Sequence, residues 1–183
     1  MATINNIQIK NLKEFRGHEG EPLYQGDIYY KGKKLGFWSQ DFMSGSDTFL
    51  FNEAILQDEV SRCKAAYMDK SYPYNIEDLM AELLDLTLNE KEVKKILKQH
   101  DVAIVISDKE GYLTTTYGMN YPSESKYPKF VILNKFIAQA KKDFKADIEK
   151  SYGISISIEH YDDVSVKFYH KDTLDEFNVK IGY

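Results

Sequence analysis

Apolar and polar residues alternate over much of the first forty positions, as expected for strands that have one buried face. Ile7 and Ile9 alternate with polar neighbours and predict an opening strand. Two aromatic, β-prone runs, 23–30 and 35–40, flank Lys31-Gly32-Lys33-Lys34 and predict a β-hairpin. We therefore expect a three-stranded antiparallel unit that ends near Asp41.

The pattern changes to that of helices after residue 50. Asn52 is placed to cap a helix that runs to about Tyr67. Asn75 is placed to cap a second helix, which has acidic residues in its first turn. Asn89 is expected to cap a third, short helix that ends near Leu97. The middle of the chain is thus predicted to be helical.

The second half of the chain returns to strands and contains one long helix. Residues 102–106 are a continuous apolar run, typical of a buried strand, and 112–117 can pair with it across a turn. A long amphipathic helix is predicted within 130–152. Alternating residues then predict a three-stranded antiparallel meander, built from segments around 154–158, 164–168 and 177–181.

This order of elements predicts an α+β fold with antiparallel sheets. The sheets are the N-terminal three-stranded unit and the C-terminal meander, separated by the helical middle and the long amphipathic helix. A three-stranded sheet needs other elements to pack against its apolar face. Two divisions remain open: an N-terminal β-hairpin subdomain over 1–50 followed by an α+β domain over 51–183, or one continuous domain.

Composition narrows the class of protein. The 183 residues are 43% hydrophobic, which suits a packed core and argues against disorder. The formal net charge of −5 does not favour general phosphate binding, and only Arg16 and Arg62 among 24 basic residues are arginine. A single cysteine, Cys63, excludes an internal disulfide. No apolar run reaches transmembrane length and no signal peptide is evident, so we expect a cytoplasmic protein.

Acidic and aromatic residues are the main candidates for partner binding. Acidic side chains are concentrated on the second and third predicted helices and again near the last strands, and such arrays can occupy a basic groove on a partner. An ordinary solvated surface is the alternative explanation. Aromatic anchors are typical of protein interfaces, although burial would explain Trp38 equally well. The predicted partner-binding residues are Glu77, Asp78, Glu82, Asp85, Trp38, Tyr117 and Tyr121.

Catalytic chemistry has one candidate location, the loop that contains Gly17 and Gly20. His18 and Glu19 could act as a base and its orienting carboxylate, with Asp41 nearby, which would suit a small hydrolase. The alternative is that the two glycines serve only to form turns. Cys63 lies on the apolar side of a predicted helix, as expected for a buried cysteine.

No cofactor or metal is predicted. The common phosphate-loop, dinucleotide-binding and hydrolase motifs do not occur in the sequence. His160 and His170 lie ten positions apart, roughly 33 Å along a straight strand, so they cannot share one metal unless the chain folds back. A further possibility is a single-strand nucleic-acid binder, in which the 117–129 loop, with its tyrosines and lysines, stacks on unpaired bases.

The run KNLKEFRGHEGEPLYQGDIYYKGKKLGFWSQD, from Lys10 to Asp41, resembles the opening of small proteins carried by phages and other mobile elements of AT-rich bacteria. Some of these resemble anti-CRISPR or antirestriction factors. The resemblance implies a non-enzymatic protein that binds and inhibits a bacterial defence nuclease of the CRISPR-Cas type, within the bacterial host cell. The small hydrolase and the single-strand nucleic-acid binder remain the alternatives.

Overall fold

The computed structural model describes residues 1–43, 45–67, 73–107, 114–152, 164–170 and 174–179. Helices and antiparallel sheets both occur, which confirms the α+β class. The chain forms two compact units: unit 1 is Met1–Glu90 with Asp175–Tyr183, and unit 2 is Lys91–Leu174. The division therefore lies near residue 90 and not near residue 50.

Unit 1 is built around a sheet with the order β5-β4-β3-β2-β1-β9. The predicted hairpin is present, with Lys31 and Gly32 at positive φ (49° and 79°) in its two-residue turn. A second tight turn at Asn5 and Asn6 separates β1 from β2, so the predicted opening strand is itself a hairpin. The strands are β1 (Thr3–Ile4), β2 (Ile7–Arg16), β3 (Pro22–Tyr30), β4 (Lys33–Ser39), β5 (Thr48–Phe49) and β9 (Asn178–Val179).

A β-bulge interrupts the pairing of β2 with β3. The register shifts between Lys10 and Lys13, where Asn11 has a positive φ of 53°. The opposite strand has Gly26 at this point, and a Cβ atom there would lie 2.7 Å from Ile9 Cγ2 and 2.9 Å from the Lys10 carbonyl oxygen. Gly26 therefore allows the two strands to approach closely at the bulge.

Helices cover one face of this sheet. A short 3₁₀ helix (Glu53–Leu56) leads into α1 (Gln57–Tyr67), and Asn52 caps it as predicted, since its side chain accepts a hydrogen bond from Ala54 N. The next helix, α2, spans Ile76–Leu97. One core joins sheet and helices, which is why residues 1–50 do not form a separate subdomain. It includes Ile7, Ile28, Trp38, Leu56, Cys63, Leu79, Met80 and Leu83.

Helix α2 is continuous, so the prediction of a third helix capped by Asn89 is wrong. Asn89 is exposed on the outer side of α2. Its neighbours Thr87, Glu90 and Val93 are buried and continue the inward-facing side of the helix. Packing along this side outweighs the preference of asparagine for helix ends.

Unit 2 contains a sheet with the order β7-β6-β8, and α3 (Lys129–Tyr152) packs against it. The buried central strand is β6 (Val102–Ser107), which pairs antiparallel with β7 (Thr114–Met119) and with β8 (Ser165–Tyr169). The prediction for 102–106 and the long helix are confirmed.

The C-terminal meander is not formed as predicted. Strand β8 pairs with β6, and β9 pairs parallel with β1 in the sheet of unit 1, so these two segments belong to different sheets. A 3₁₀ helix (Leu174–Phe177) directly precedes β9. The predicted strand around 154–158 lies outside the described residues.

Candidate interaction surfaces

The first half of α2 carries a row of carboxylates. Asn75 begins the helix, since its Oδ1 accepts hydrogen bonds from Glu77 N (2.7 Å) and Asp78 N (3.2 Å), while Asp78 Oδ2 accepts one from Asn75 N at 2.7 Å. The inward-facing side is fixed by the buried Leu79 and Leu83. This orientation leaves Asp85 exposed and Asp78 and Glu82 half-buried along the flank of the helix.

We call Asp78, Glu82 and Asp85 the acidic stripe. Their spacing of four and then three residues places them on one side of a helix, about 6 Å and about 4.5 Å apart along its axis. Partial burial raises the pKa of Glu82, and the negative charges of Asp78 and Asp85 raise it further. Glu82 therefore lies in the negative field of its two neighbours in the stripe.

Glu77 does not belong to this stripe. Its Oε1 accepts a hydrogen bond from the backbone N of Asp47 at 2.9 Å, and the side chain is half-buried. Asp47 in turn accepts a hydrogen bond from Trp38 Nε1 at 2.7 Å. Glu77 thus fixes the segment that precedes β5 onto α2, which is a structural role.

The prediction that Trp38 is a partner-binding residue is wrong. Its side chain is 0% exposed and lies in the core between the sheet and the helices of unit 1. The alternation along β4 turns Trp38 inward, while its neighbour Phe37 is only half-buried. Trp38 therefore cannot serve as a surface anchor.

The two tyrosine candidates differ in their surroundings. Tyr117 is half-buried against the core of unit 2, its hydroxyl is buried, and burial together with the charges of Asp147 and Asp143 raises its pKa to about 12. Tyr117 is therefore poorly placed to act as an exposed anchor. Tyr121 is half-buried at the surface, with Lys129 Nζ 5.0 Å from its ring centre.

Charge is distributed unequally between the two units. Unit 1 contains 10 basic and 17 acidic residues in its sequence, for a formal charge of −7, whereas unit 2 contains 14 and 12, for +2. The residues from Pro73 to Glu90 include five acidic and no basic side chains. The lysines that follow on α2, beginning with Lys91, belong to unit 2.

The residues of the predicted hydrolase site take part in contacts within two loops. Asp41 Oδ2 accepts hydrogen bonds from Met43 N (2.8 Å) and Gly45 N (2.7 Å) and so shapes the loop after β4. His18 is exposed, donates its backbone N–H to Phe42 O, and packs its ring edgewise on Phe42. Glu19 is exposed, and its backbone N donates to Glu21 Oε2. These contacts shape the loop before β3 and the loop after β4.

Cys63 is a buried thiol. Burial, followed by the charge of Glu82, raises its pKa to about 11, which suppresses the reactive thiolate. Within the described part of the chain, no group of three or more His, Cys, Asp or Glu side chains is arranged to hold a metal ion. His160 lies outside the described residues. His170 stacks on Tyr121, with ring centres 6.5 Å apart.

Two buried carboxylates were not anticipated. Glu59 is 1% exposed and accepts a hydrogen bond from Tyr30 Oη at 2.6 Å, and Glu90 is 3% exposed and accepts one from Ala2 N at 2.7 Å. Glu90 follows Leu83 by seven positions on the buried side of α2, so helical spacing could have indicated its burial. The surface charge of α2 is accordingly smaller than its composition suggests.

Exposed aromatic rings near the start of α3 are the feature that sequence reasoning captured only partly. Tyr127 and Phe130 are 59% and 65% exposed, and Phe168 on β8 is 49% exposed. The tyrosines and lysines of the 117–129 loop predict a binding region here. For Phe130 and Phe168 the sequence pattern predicts only membership of a helix and of a strand, not exposure.

Among the helices of the described ranges, none has the length and apolar character needed to cross a bilayer. Comparison with known proteins gives no relative from which a function could be transferred: no protein-family model, no curated protein and no solved structure matches this chain.

Proposed function

We propose that this chain is a non-enzymatic binding protein that inhibits a bacterial defence nuclease of the CRISPR-Cas type. The observation that carries the proposal is the acidic stripe, which lies in a segment of 18 residues without a basic side chain, within a unit of formal charge −7. An inhibitor of this kind would act in the bacterial cytoplasm, where such nucleases bind their nucleic acid.

The stripe is suited to a basic groove. Its three carboxylates are spread over eight residues of helix, about 10.5 Å from first to last, and one DNA strand places about four phosphates over the same length. The charge density of the stripe is therefore close to that of one nucleic-acid strand. Lysine and arginine side chains that hold phosphates could pair with these carboxylates instead.

The contacts around the hydrolase candidates also favour a binding protein over an enzyme. Asp41 is engaged by two backbone N–H groups, and His18 packs on Phe42. A general base must reach the proton that it removes, and in the common triad pattern a third group orients it. The contacts of His18 and Asp41 organise two loops and do not form that arrangement.

The test is a cleavage assay with a panel of purified CRISPR effector nucleases and restriction enzymes, titrated with the chain. We expect inhibition of one effector to be complete near equal molar amounts, because a binding inhibitor is consumed one for one. The double variant Glu82→Gln/Asp85→Asn should weaken this inhibition at least about tenfold, since it removes two of the three stripe charges.

A matched control separates the stripe from overall charge. Glu19 and Glu53 are exposed acidic residues of the same unit, and Glu19→Gln/Glu53→Gln makes the same change in net charge. This control should inhibit like the unaltered chain. Equal loss of inhibition in both double variants would show that net charge alone matters, and absence of inhibition across the panel would reject the proposed function.

A further inference from the structure

A second surface, in unit 2, has the opposite charge. The segment Tyr121–Lys142 contains five lysines and one acidic residue, Glu124, in a chain whose net charge is −5. The segment comprises the loop before α3 and the first half of that helix. Its local charge is therefore +4, and it is the complement of an anionic ligand.

Aromatic rings lie among these lysines. Lys129 Nζ lies 5.0 Å from the centre of the Tyr121 ring, and Lys135 Nζ lies 4.6 Å from that of Tyr127. We call the whole set the aromatic–lysine patch. It consists of Tyr121, Tyr127, Lys129, Phe130, Lys135 and Phe168.

The base of the patch is held by the fold. Tyr121 N donates to Asp101 Oδ2 at 2.9 Å, which fixes the start of the loop beside β6. The ring of His170 stacks on Tyr121 with an interplanar angle of 10° and meets Phe168 edgewise at 6.2 Å. Tyr121 is thus a positioned ring, whereas Tyr127, Phe130 and Phe168 are open to a ligand.

We propose that the aromatic–lysine patch binds single-stranded nucleic acid, with lysines on the phosphates and the exposed rings stacked on unpaired bases. A flat ring flanked by an ammonium group supplies both contacts that a nucleotide needs. Unpaired bases are required because a duplex hides the base faces. The patch belongs to unit 2, whereas the acidic stripe belongs to unit 1.

The test is fluorescence anisotropy of a labelled 20-nucleotide oligothymidine at 50 mM salt, with a duplex of equal length for comparison. We expect binding to the single strand and at least about fivefold weaker binding to the duplex. Tyr127→Ala/Phe130→Ala should weaken single-strand binding at least about fivefold. The exposed Phe42, in unit 1, provides the control Phe42→Ala, which should bind unchanged.

Salt dependence separates the lysine contacts from a folding defect. Lys129→Gln/Lys135→Gln should reduce the slope of log affinity against log salt by about 1.4, whereas Lys33→Gln/Lys64→Gln, at exposed positions of unit 1, should leave it unchanged. The proposal is overturned if the oligothymidine does not bind, if the duplex binds equally well, or if polyglutamate competes as effectively as unlabelled oligothymidine.

Discussion

The hydrogen bond between Trp38 and Asp47 allows a stability experiment whose size follows from the structure. Trp38 Nε1 donates to Asp47 Oδ2 at 2.7 Å, and the indole is fully buried. In Asp47→Ala the N–H loses its acceptor within the core. A buried donor left without a partner costs about 1–3 kcal/mol. Burial also raises the pKa of Asp47, so removing its charge returns part of this cost.

We therefore expect Asp47→Ala to lower the free energy of unfolding by about 1–2 kcal/mol. Asp47→Asn keeps an oxygen that can accept the indole N–H and removes the carboxylate charge, so it should remain within about 0.5 kcal/mol of the unaltered chain. For a chain of 183 residues, the alanine variant should melt about 2–8 °C lower.

Trp38 itself is the probe. It is the only tryptophan in the chain and lies in the core of unit 1, so its fluorescence during urea unfolding reports on that unit. The variants should shift the urea midpoint without changing the slope. If Asp47→Ala is as stable as the unaltered chain, or if Asp47→Asn is destabilised equally, the hydrogen bond does not hold Trp38 in place.

Three further predictions follow from particular contacts. The folded-state pKa of Glu82 lies above its usual 4.5, so its contribution to the free energy of unfolding should increase as pH falls from 7 toward 4.5. Glu82→Gln should remove this increase, and at pH 7 its free energy of unfolding should equal or exceed that of the unaltered chain. Urea unfolding at both pH values measures the difference. Gly26→Ala should cost about 1–3 kcal/mol in the same assay, because its Cβ would meet Ile9 and the Lys10 carbonyl, and equal stability would contradict the close approach at the bulge. Cys63 has a pKa of about 11, so about one molecule in a thousand should carry the thiolate at pH 8. Because the thiol is also buried, it should react with a disulfide reagent only as fast as unit 1 opens. Rapid labelling of the folded chain would refute its burial.

The elements that sequence predicted well are those whose signals are local. The turn at Lys31 and Gly32 lies between two alternating aromatic strands, and Asn52 and Asn75 both cap helices through their side chains. In each case the residue that forms the turn or the cap lies within a few positions of the strand or helix that it begins or ends.

The errors arose where distant contacts decide the structure. The alternating residues of β8 and β9 indicate strands, but alternation does not identify a partner, and these strands joined β6 and β1. Asn89 has a capping preference, yet the buried side of α2 continues through Glu90 and Val93.

The sequence was sufficient to predict which acidic residues lie together, but not which candidate side chains are exposed. Helical spacing already places Asp78, Glu82 and Asp85 together, as observed. Sequence could not show that Glu77 is engaged by the backbone of Asp47, because this contact depends on where the loop before β5 lies. Nor could it show that Trp38 and not Phe37 faces the core, because alternation alone does not identify which face of a strand is buried.

The most direct test of the central claim is a displacement measurement on the effector that the chain inhibits. Labelled target DNA is bound to the purified nuclease, and its anisotropy is followed as the chain is added. The account predicts that DNA is released with one-to-one stoichiometry, and that Glu82→Gln/Asp85→Asn releases it only at a much higher concentration. DNA that stays bound at saturating chain, or cleavage activity that is lost at far below equal molar amounts, would contradict it.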